Sequence, residues 1–314
     1  MAHHPALIPT VRSLADGQRW VEHNLAVLVA ARGRDVLGNL ISSISLTTIS
    51  TAFAGIGGPE NALNAIAKGL VHFAGVPCQT GTHLWACETN PQSLYELGMA
   101  TSPPTCRFSD ICDFIIPAAQ GFLKEQFTRM HCSDLQELFI HAEKKVISSK
   151  AKCQVHDGFC EAVRADVHIA GTPCVNWSPR GDQSGLAGAS GLAFFVWIAQ
   201  RRLHQEDAVL HENVTQFQVE ILELLLGDLF IIWTCEMDAL TFASLAARHR
   251  RYSWLLHKRV AGSAMQITRE PWGDDFVRQF FRDLDMDCSA LWGIASDDEI
   301  QALFCLPVSR WLCL

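Results

Sequence analysis

The sequence contains no stretch suited to crossing a bilayer. Its longest apolar runs, Leu186–Ala199 and Leu222–Trp233, fall short of the roughly 20 uninterrupted residues that a spanning helix needs. It also has no start of secretory type. MAHHPALIPTVRS lacks a basic segment followed by an apolar core, so no signal peptide is expected. Among the 12 cysteines there is no CxxC pair and no Cys/His set with finger-like spacing. Disulfides and zinc are therefore both expected to be absent, and most thiols are read as small buried hydrophobes in a reducing, intracellular compartment. Basic charge is in deficit: 25 Lys and Arg against 33 Asp and Glu give a net charge of −8. That argues against a large nonspecific DNA-binding surface. It leaves room for a local one where Arg248, His249, Arg250 and Arg251 are followed by His257, Lys258 and Arg259.

What the chain does have is core. Of 314 residues, 49% are hydrophobic and 18% charged, the composition of a globular α/β domain with or without a small appendage. Residues 1–44 read as a helical lead-in that breaks near Gly33. The β-branched stretch Ser43–Phe53 reads as a strand, and the glycine loop Gly55-Ile-Gly-Gly58 follows, with Pro59 at a helix start. Further strands are expected at Thr82–Glu88, near Asp110, at Asp166–Ala170 and at Ala208–Leu210. Helices are expected at Asp134–Ile147 and Leu192–Leu203. Strands alternating with helices predict a mostly parallel sheet with helices on both faces. The pattern weakens after about Gly262, which divides the chain into 1–44, 45–262 and a tail, 263–314.

A glycine turn between a first strand and its helix lets backbone approach a ligand, and an acid at the next strand end can hold ribose hydroxyls. Here that acid, Glu88, lies 33 residues beyond Gly55, whereas a nicotinamide-binding unit places it about 20 residues on. In the second half, Gly171-Thr-Pro-Cys174 follows a short strand, and His211-Glu-Asn-Val214 ends another, 38 residues from cysteine to glutamate. A thiol adding to C6 of a pyrimidine makes C5 enamine-like, and a carboxyl can assist by bonding to N3.

Taken in order, these segments resemble the S-adenosylmethionine-dependent cytosine-C5 methyltransferases. Thr51-Ala-Phe-Ala-Gly-Ile-Gly-Gly58 resembles the family's D-L-F-A-G-x-G-G, with threonine in place of the opening aspartate. Trp85–Pro91 and Phe108–Ile111 resemble its second and third motifs. Gly171, Pro173, Cys174, Ser178 and Gly181 match the fourth, although Val175-Asn176-Trp177 replaces the usual Gln-x-Phe. Arg248–Tyr252 resembles Gln-x-Arg-x-Arg, with Ala246 where the glutamine would stand. The resemblance spans about residues 48–260.

The resemblance implies a Rossmann-like methyltransferase fold and S-adenosyl-L-methionine as cofactor, held by Phe53, Gly55, Gly57, Glu88 and Asp110. It implies Cys174, Glu212 and Arg250 as catalytic residues and Ser178, Asn213 and Arg248 as substrate-binding residues, with no metal. DNA is the expected partner, in the nucleus of a eukaryote or the cytoplasm of a prokaryote. A tRNA substrate stays open, although Thr234-Cys235-Glu236 is not the Cys-Phe-Thr of the family's tRNA branch. Residues 261–314 show neither a target-recognition region nor the closing Gly-Asn motif, for which Gly38-Asn39 is the candidate substitute. Two readings follow: a partner chain supplies target recognition, or the chain is a truncated, inert module.

Overall fold

The computed structural model describes residues 10–11, 19–127, 146–242, 247–264 and 282–284. All but the last two residues of the helix expected over Asp134–Ile147, the substituted Ala246 and nearly all of 263–314 fall outside them. Helices α1 (Trp20–Arg32) and α2 (Asp35–Leu46) precede strand β1 (Thr48–Ala52). Then come α3 (Gly58–Ala74), β2 (Thr82–Cys87), α4 (Pro91–Gly98), β3 (Cys106–Phe108) and α5 (Pro117–Phe127). A small antiparallel pair, β4 (Lys150–Lys152) and β5 (Phe159–Glu161), leads to β6 (Val167–Gly171), α6 (Gly191–His204) and β7 (Ala208–Asn213). Helix α7 (Glu220–Leu226), strands β8 (Phe230–Asp238) and β9 (His249–His257) and helix α8 (Lys258–Ala264) follow. Apart from these, Thr10–Val11 pairs in parallel with Asp283–Leu284 as a separate two-stranded sheet. None of the described helices is long and apolar enough to cross a membrane.

Seven strands form one sheet in the order β3-β2-β1-β6-β7-β9-β8. Neighbours from β3 to β7 run parallel, and β9 is antiparallel to both β7 and β8. This is the Rossmann-like α/β fold expected from the sequence, with one reversed strand near its edge. The order turns at β1: the chain passes from β1 through α3 to β2 on one side, and from β6 through α6 to β7 on the other. The crevice between β1 and β6 is thus the switch point, where open α/β sheets bind ligands.

Local chemistry explains the central elements. Asp166 ties the starts of β1 and β6: its carboxylate accepts from Thr48 N at 2.8 Å and Thr48 Oγ1 at 2.7 Å. The Thr48 amide, the burial-opposing partner, holds that carboxyl below its ordinary range. Asn90 caps α4 by accepting from Gln92 N and Ser93 N. Helix α6 is buried from Phe194 to Arg201, as expected of a helix enclosed on all sides.

Three boundaries differ from the sequence expectation. Ser43–Leu46 ends α2, so β1 starts only at Thr48. The run Leu222–Trp233 splits at Gly227 into α7 and β8. The last strand before it, expected over Ala208–Leu210, reaches Asn213 because β9 pairs along its whole length, Ala208 with Leu256 through Asn213 with Arg251.

Candidate active site

At the end of β1 the backbone turns sharply. Phe53 has φ of 53°, Gly55 of 55° and Gly57 of 83°. Positive φ costs glycine little, but in phenylalanine it is strained and marks a position that the surroundings enforce. At Gly57 a side chain would be strained by the positive φ and would also meet Leu97 Cδ2 at 2.9 Å. One at Gly55 would meet no atom within 4 Å, so φ and open space, not packing, describe that residue. Glu88 braces the loop: Oε2 accepts from Gly55 N at 2.7 Å and Oε1 from Asn90 N at 2.8 Å. Each carboxylate oxygen keeps a second lone pair for a ligand hydroxyl. Asp110 emerges from β3 on the same side, its Oδ1 accepting from Cys112 N at 2.8 Å.

Thr51, where the family motif opens with aspartate, is wholly buried and donates to Glu60 Oε1 at 2.8 Å. Glu60 comes from the first turn of α3 and faces His83 at 3.3 Å. Burial raises the Glu60 carboxyl and lowers His83 to about 4. A buried acid thus sits beneath the glycine loop, delivered by the helix instead of the strand. Nothing in the linear motif singled out Glu60; its only signal was an acid in the first turn after Pro59.

At the end of β6, Cys174 opens a tight loop. Its carbonyl accepts from Trp177 N at 3.0 Å and Ser178 N at 2.8 Å, and Gly181 N donates to Ser178 O. Glycine is required at 181, where a Cβ would lie 1.7 Å from Val175 O. Trp177 turns inward onto Phe217, ring centroids 5.0 Å apart. Cys174 is half-buried, and Ser178 Oγ accepts from Arg180 N.

The base of this loop is held from β7. Asn213 is buried and donates to Thr172 O at 3.1 Å and Thr172 Oγ1 at 2.8 Å; its own carbonyl accepts from Val214 N. Thr172 Oγ1 also meets His211 Nε2 at 2.7 Å, and burial lowers His211 to about 3, keeping it neutral. The amide of Asn213, expected to contact substrate, is engaged with Thr172 and Val214 inside the protein. Thr172 and His211 hold the loop with it and were not foreseen. Asn213→Ala should leave Thr172 O unsatisfied, at a cost of about 1–3 kcal/mol or a fall of roughly 2–10 °C in melting temperature. A thermal denaturation curve coincident with wild type would remove this role.

Glu212 pairs with Gly171 across the β6–β7 ladder. Arg250 Nε lies 2.9 Å from its Oε1, and Arg248 contributes a longer contact at 3.6 Å. A methyl on Gly171 would lie 3.1 Å from Glu212 Oε2 and 3.9 Å from Phe53 O. Gly171 thus sits between the glycine-loop strand end and the Glu212 strand end, three residues before Cys174. The candidate residues from β1, β6, β7 and β9 converge at the switch point.

The basic stretch does not form one patch. Arg251 pairs with Glu236 at 2.5 Å, while Arg259 binds Asp207 and Lys258 donates to Gly227 O. The two groups are attached to opposite ends of β9, about 20 Å apart at strand rise. At the Glu212 end, Arg248 and Arg250 pair with Glu212, whereas Arg251 turns to Glu236.

A scan against protein-family models finds none that matches, and a search of curated proteins finds none either. Solved structures give matches at low identity. One is described as a DNA modification methyltransferase encoded within an E. coli prophage: 15% identity, 69% of this chain and 48% of that one, TM-score 0.41. Another is the Dnmt2 methyltransferase of S. pombe: 14% identity, 75% of this chain and 54% of that one, TM-score 0.40. A third is a mutant DNMT2 of Spodoptera frugiperda: 15% identity, 68% and 51%, TM-score 0.36. The chain spans about half the length of these proteins.

Proposed function

We propose that this chain transfers a methyl group from S-adenosylmethionine to C5 of cytosine in DNA, with Cys174 as the nucleophile. The observation that carries this reading is the position of Gly171 between Phe53 O and Glu212 Oε2. It brings a ligand-accessible glycine loop, a Pro-Cys loop and an ion-paired carboxylate to one crevice.

The residues present fit the cofactor. Gly55 leaves open space above a strained loop, Glu88 retains acceptor capacity for ribose hydroxyls, and Asp110 stands at the third strand end for the adenine amino group. When bound, the cofactor supplies an electrophilic methyl group. Cys174 Sγ, as the thiolate, bonds to C6 of a cytosine drawn out of its stack, while Glu212 in its acid form donates its proton to N3, so that the charge of the addition is neutralised there. Arg250 orients Glu212 through its 2.9 Å contact. C5 then takes the methyl group and releases its proton to solvent, N3 returns its proton to Glu212, and the C6–sulfur bond breaks, returning the Cys174 thiolate. Asn213, Thr172 and His211 hold the loop so that Cys174 need not be ordered at the moment of reaction. A partner chain supplies target recognition in this reading.

The test is methyl transfer from labelled cofactor, with duplex DNA and tRNA as parallel substrates. Label in DNA supports the reading. Label in tRNA alone moves the substrate to RNA, and label in neither leaves an inert module. Cofactor binding has its own check. Glu88→Ala should weaken it by about 10- to 150-fold, the equivalent of 1.5–3 kcal/mol for hydrogen bonds to a charged group. Glu88→Gln, which keeps an oxygen for Gly55 N, should weaken it less. Equal affinity of all three proteins in calorimetric titration would remove Glu88 from the site.

A further inference from the structure

Away from the crevice, four side chains that no step of the methyl transfer uses meet at the free edge of the sheet. Cys106 starts β3, the edge strand. Cys153, His156 and Cys160 lie on and around the turn that joins β4 to β5. That turn folds against β3: Cys153 bridges Phe108, and Gln154 N donates to Arg107 O at 2.8 Å. Gly158 (φ 127°) lets it reverse, with Cys153 N donating to Gly158 O.

Three sulfurs surround one ring nitrogen. Nδ1 of His156 lies 3.7 Å from Cys106 Sγ, 3.5 Å from Cys153 Sγ and 3.3 Å from Cys160 Sγ. All four atoms lie within 4.8 Å of one another. For zinc bonds of about 2.3 Å to sulfur and 2.05 Å to nitrogen, a tetrahedron has sulfur–nitrogen edges of about 3.6 Å. The observed three scatter around that value. A backbone amide, Val155 N, donates to Cys153 Sγ at 3.3 Å, the kind of outer contact that stabilises a metal-bound thiolate. Among the described residues this is the one such group.

We propose that Cys106, Cys153, His156 and Cys160 bind one structural Zn²⁺. Three thiolates and one imidazole select zinc over harder cations, and four protein ligands leave no open position, so the ion is structural. Its role is to staple the β4–β5 hairpin over the unpaired edge of β3, a position otherwise open to intermolecular strand pairing. The same hairpin touches Ser109 through Gln154 Nε2 at 3.3 Å, so the staple also steadies the segment that presents Asp110. This proposal departs from the expectation of no metal. Cys153-x-x-His-x-x-x-Cys160 was visible in the chain, but 50 residues separate its His156 from Cys106.

The experiment is elemental analysis of the full chain, purified under reducing conditions with zinc in the growth medium. About one zinc per chain is expected. Cys106→Ala and Cys160→Ala should each lower that several-fold, and Cys235→Ala, a thiol on β8, should not. Because a ligand variant can fail to fold, wild type is also exchanged into Co²⁺, which should give the visible absorption of tetrahedral thiolate coordination. Wild type that takes up neither metal overturns the proposal. So does a reduced-buffer mass showing a disulfide among the three cysteines. Metal content is read without methyl transfer, so it stands or falls independently of the proposed activity.

Discussion

Cys174→Ser is expected to abolish both turnover and the covalent trap. A DNA duplex carrying 5-fluorocytosine should leave wild type as a stable adduct on a denaturing gel, because fluorine at C5 cannot depart as a proton and the C6–sulfur bond then has no route to break. Serine cannot substitute, since its hydroxyl ionises far less readily than a thiol, which already exists as a few per cent thiolate at neutral pH. The fold should tolerate the change. The contacts that shape the loop come from the Cys174 carbonyl, from Thr172 and from Asn213, none of which involves Sγ. Glu212→Gln separates chemistry from placement. It keeps an oxygen for Arg250 and the pairing with Gly171, but should slow transfer by roughly 100- to 10,000-fold, the usual cost of a lost acid–base group. Full activity in Cys174→Ser would refute the covalent route outright, and an adduct that persists in that variant would place the nucleophile elsewhere.

The second large effect is a loss of stability in acid. His83, His168, His204 and His211 are buried and held neutral: burial lowers His83 to about 4 and His204 and His211 to about 3, and pushes His168 well below its ordinary range. His168 shows why. Its Nε2 accepts from the indole of Trp197 at 3.0 Å, so its Nδ1 carries the proton and donates to Ser50 Oγ at 2.8 Å. The unfolded chain protonates each of these near pH 6.5, the folded chain does not, so stability is lost as pH falls below about 6.5. Each contributes a slope of about 1.4 kcal/mol per pH unit.

Two buried acids act in the opposite sense. Burial raises Glu60 and Glu206, so they hold protons in the folded chain at pH values where the unfolded chain has released them. His23 and His257 are also buried and lowered, so the histidines dominate, and stability falls as the pH drops below about 6.5, less steeply than the histidines alone would give. Asp166 and Asp228, lowered by the Thr48 amide and by Arg202 respectively, act only at lower pH. Urea unfolding at pH 7, 6, 5 and 4.5 measures the slope, and His204→Phe should reduce it by about 1.4 kcal/mol per pH unit. A midpoint constant across that range would show that these histidines are not neutral in the fold.

Glu206 also illustrates how a group can look ordinary in the sequence and be costly in the fold. It lies wholly buried, 3.2 Å from Arg201, whose guanidinium is sandwiched by Trp85 and Trp197 at about 6 Å. Burial lowers Arg201 to about 10. The sequence announced a helix over Leu192–Leu203 but not that Arg201 would be buried within it.

What the sequence determined by itself is what local rules control. A strand meeting glycines and then Pro59 has one workable geometry, a positive-φ turn into a helix, and the residues Phe53–Gly58 adopt it. The acids Glu88 and Asp110 follow parallel strands, so they necessarily emerge on the same side of the sheet as that turn, and Cys174 and Glu212 follow two more. Only the tertiary structure decided what depends on pairing between distant segments. The antiparallel β9 extended β7 to Asn213 and carried Arg250 to Glu212. It also sent Arg248–Arg251 and Lys258–Arg259 to opposite ends of one strand, where ion pairs with Glu212, Glu236 and Asp207 consume most of their charge. Glu60 found Thr51 and His83 across two elements, and Cys106 met His156 across 50 residues. Periodicity and turn chemistry act over a few residues, whereas these contacts form only when the sheet's strand order brings remote backbones within about 5 Å.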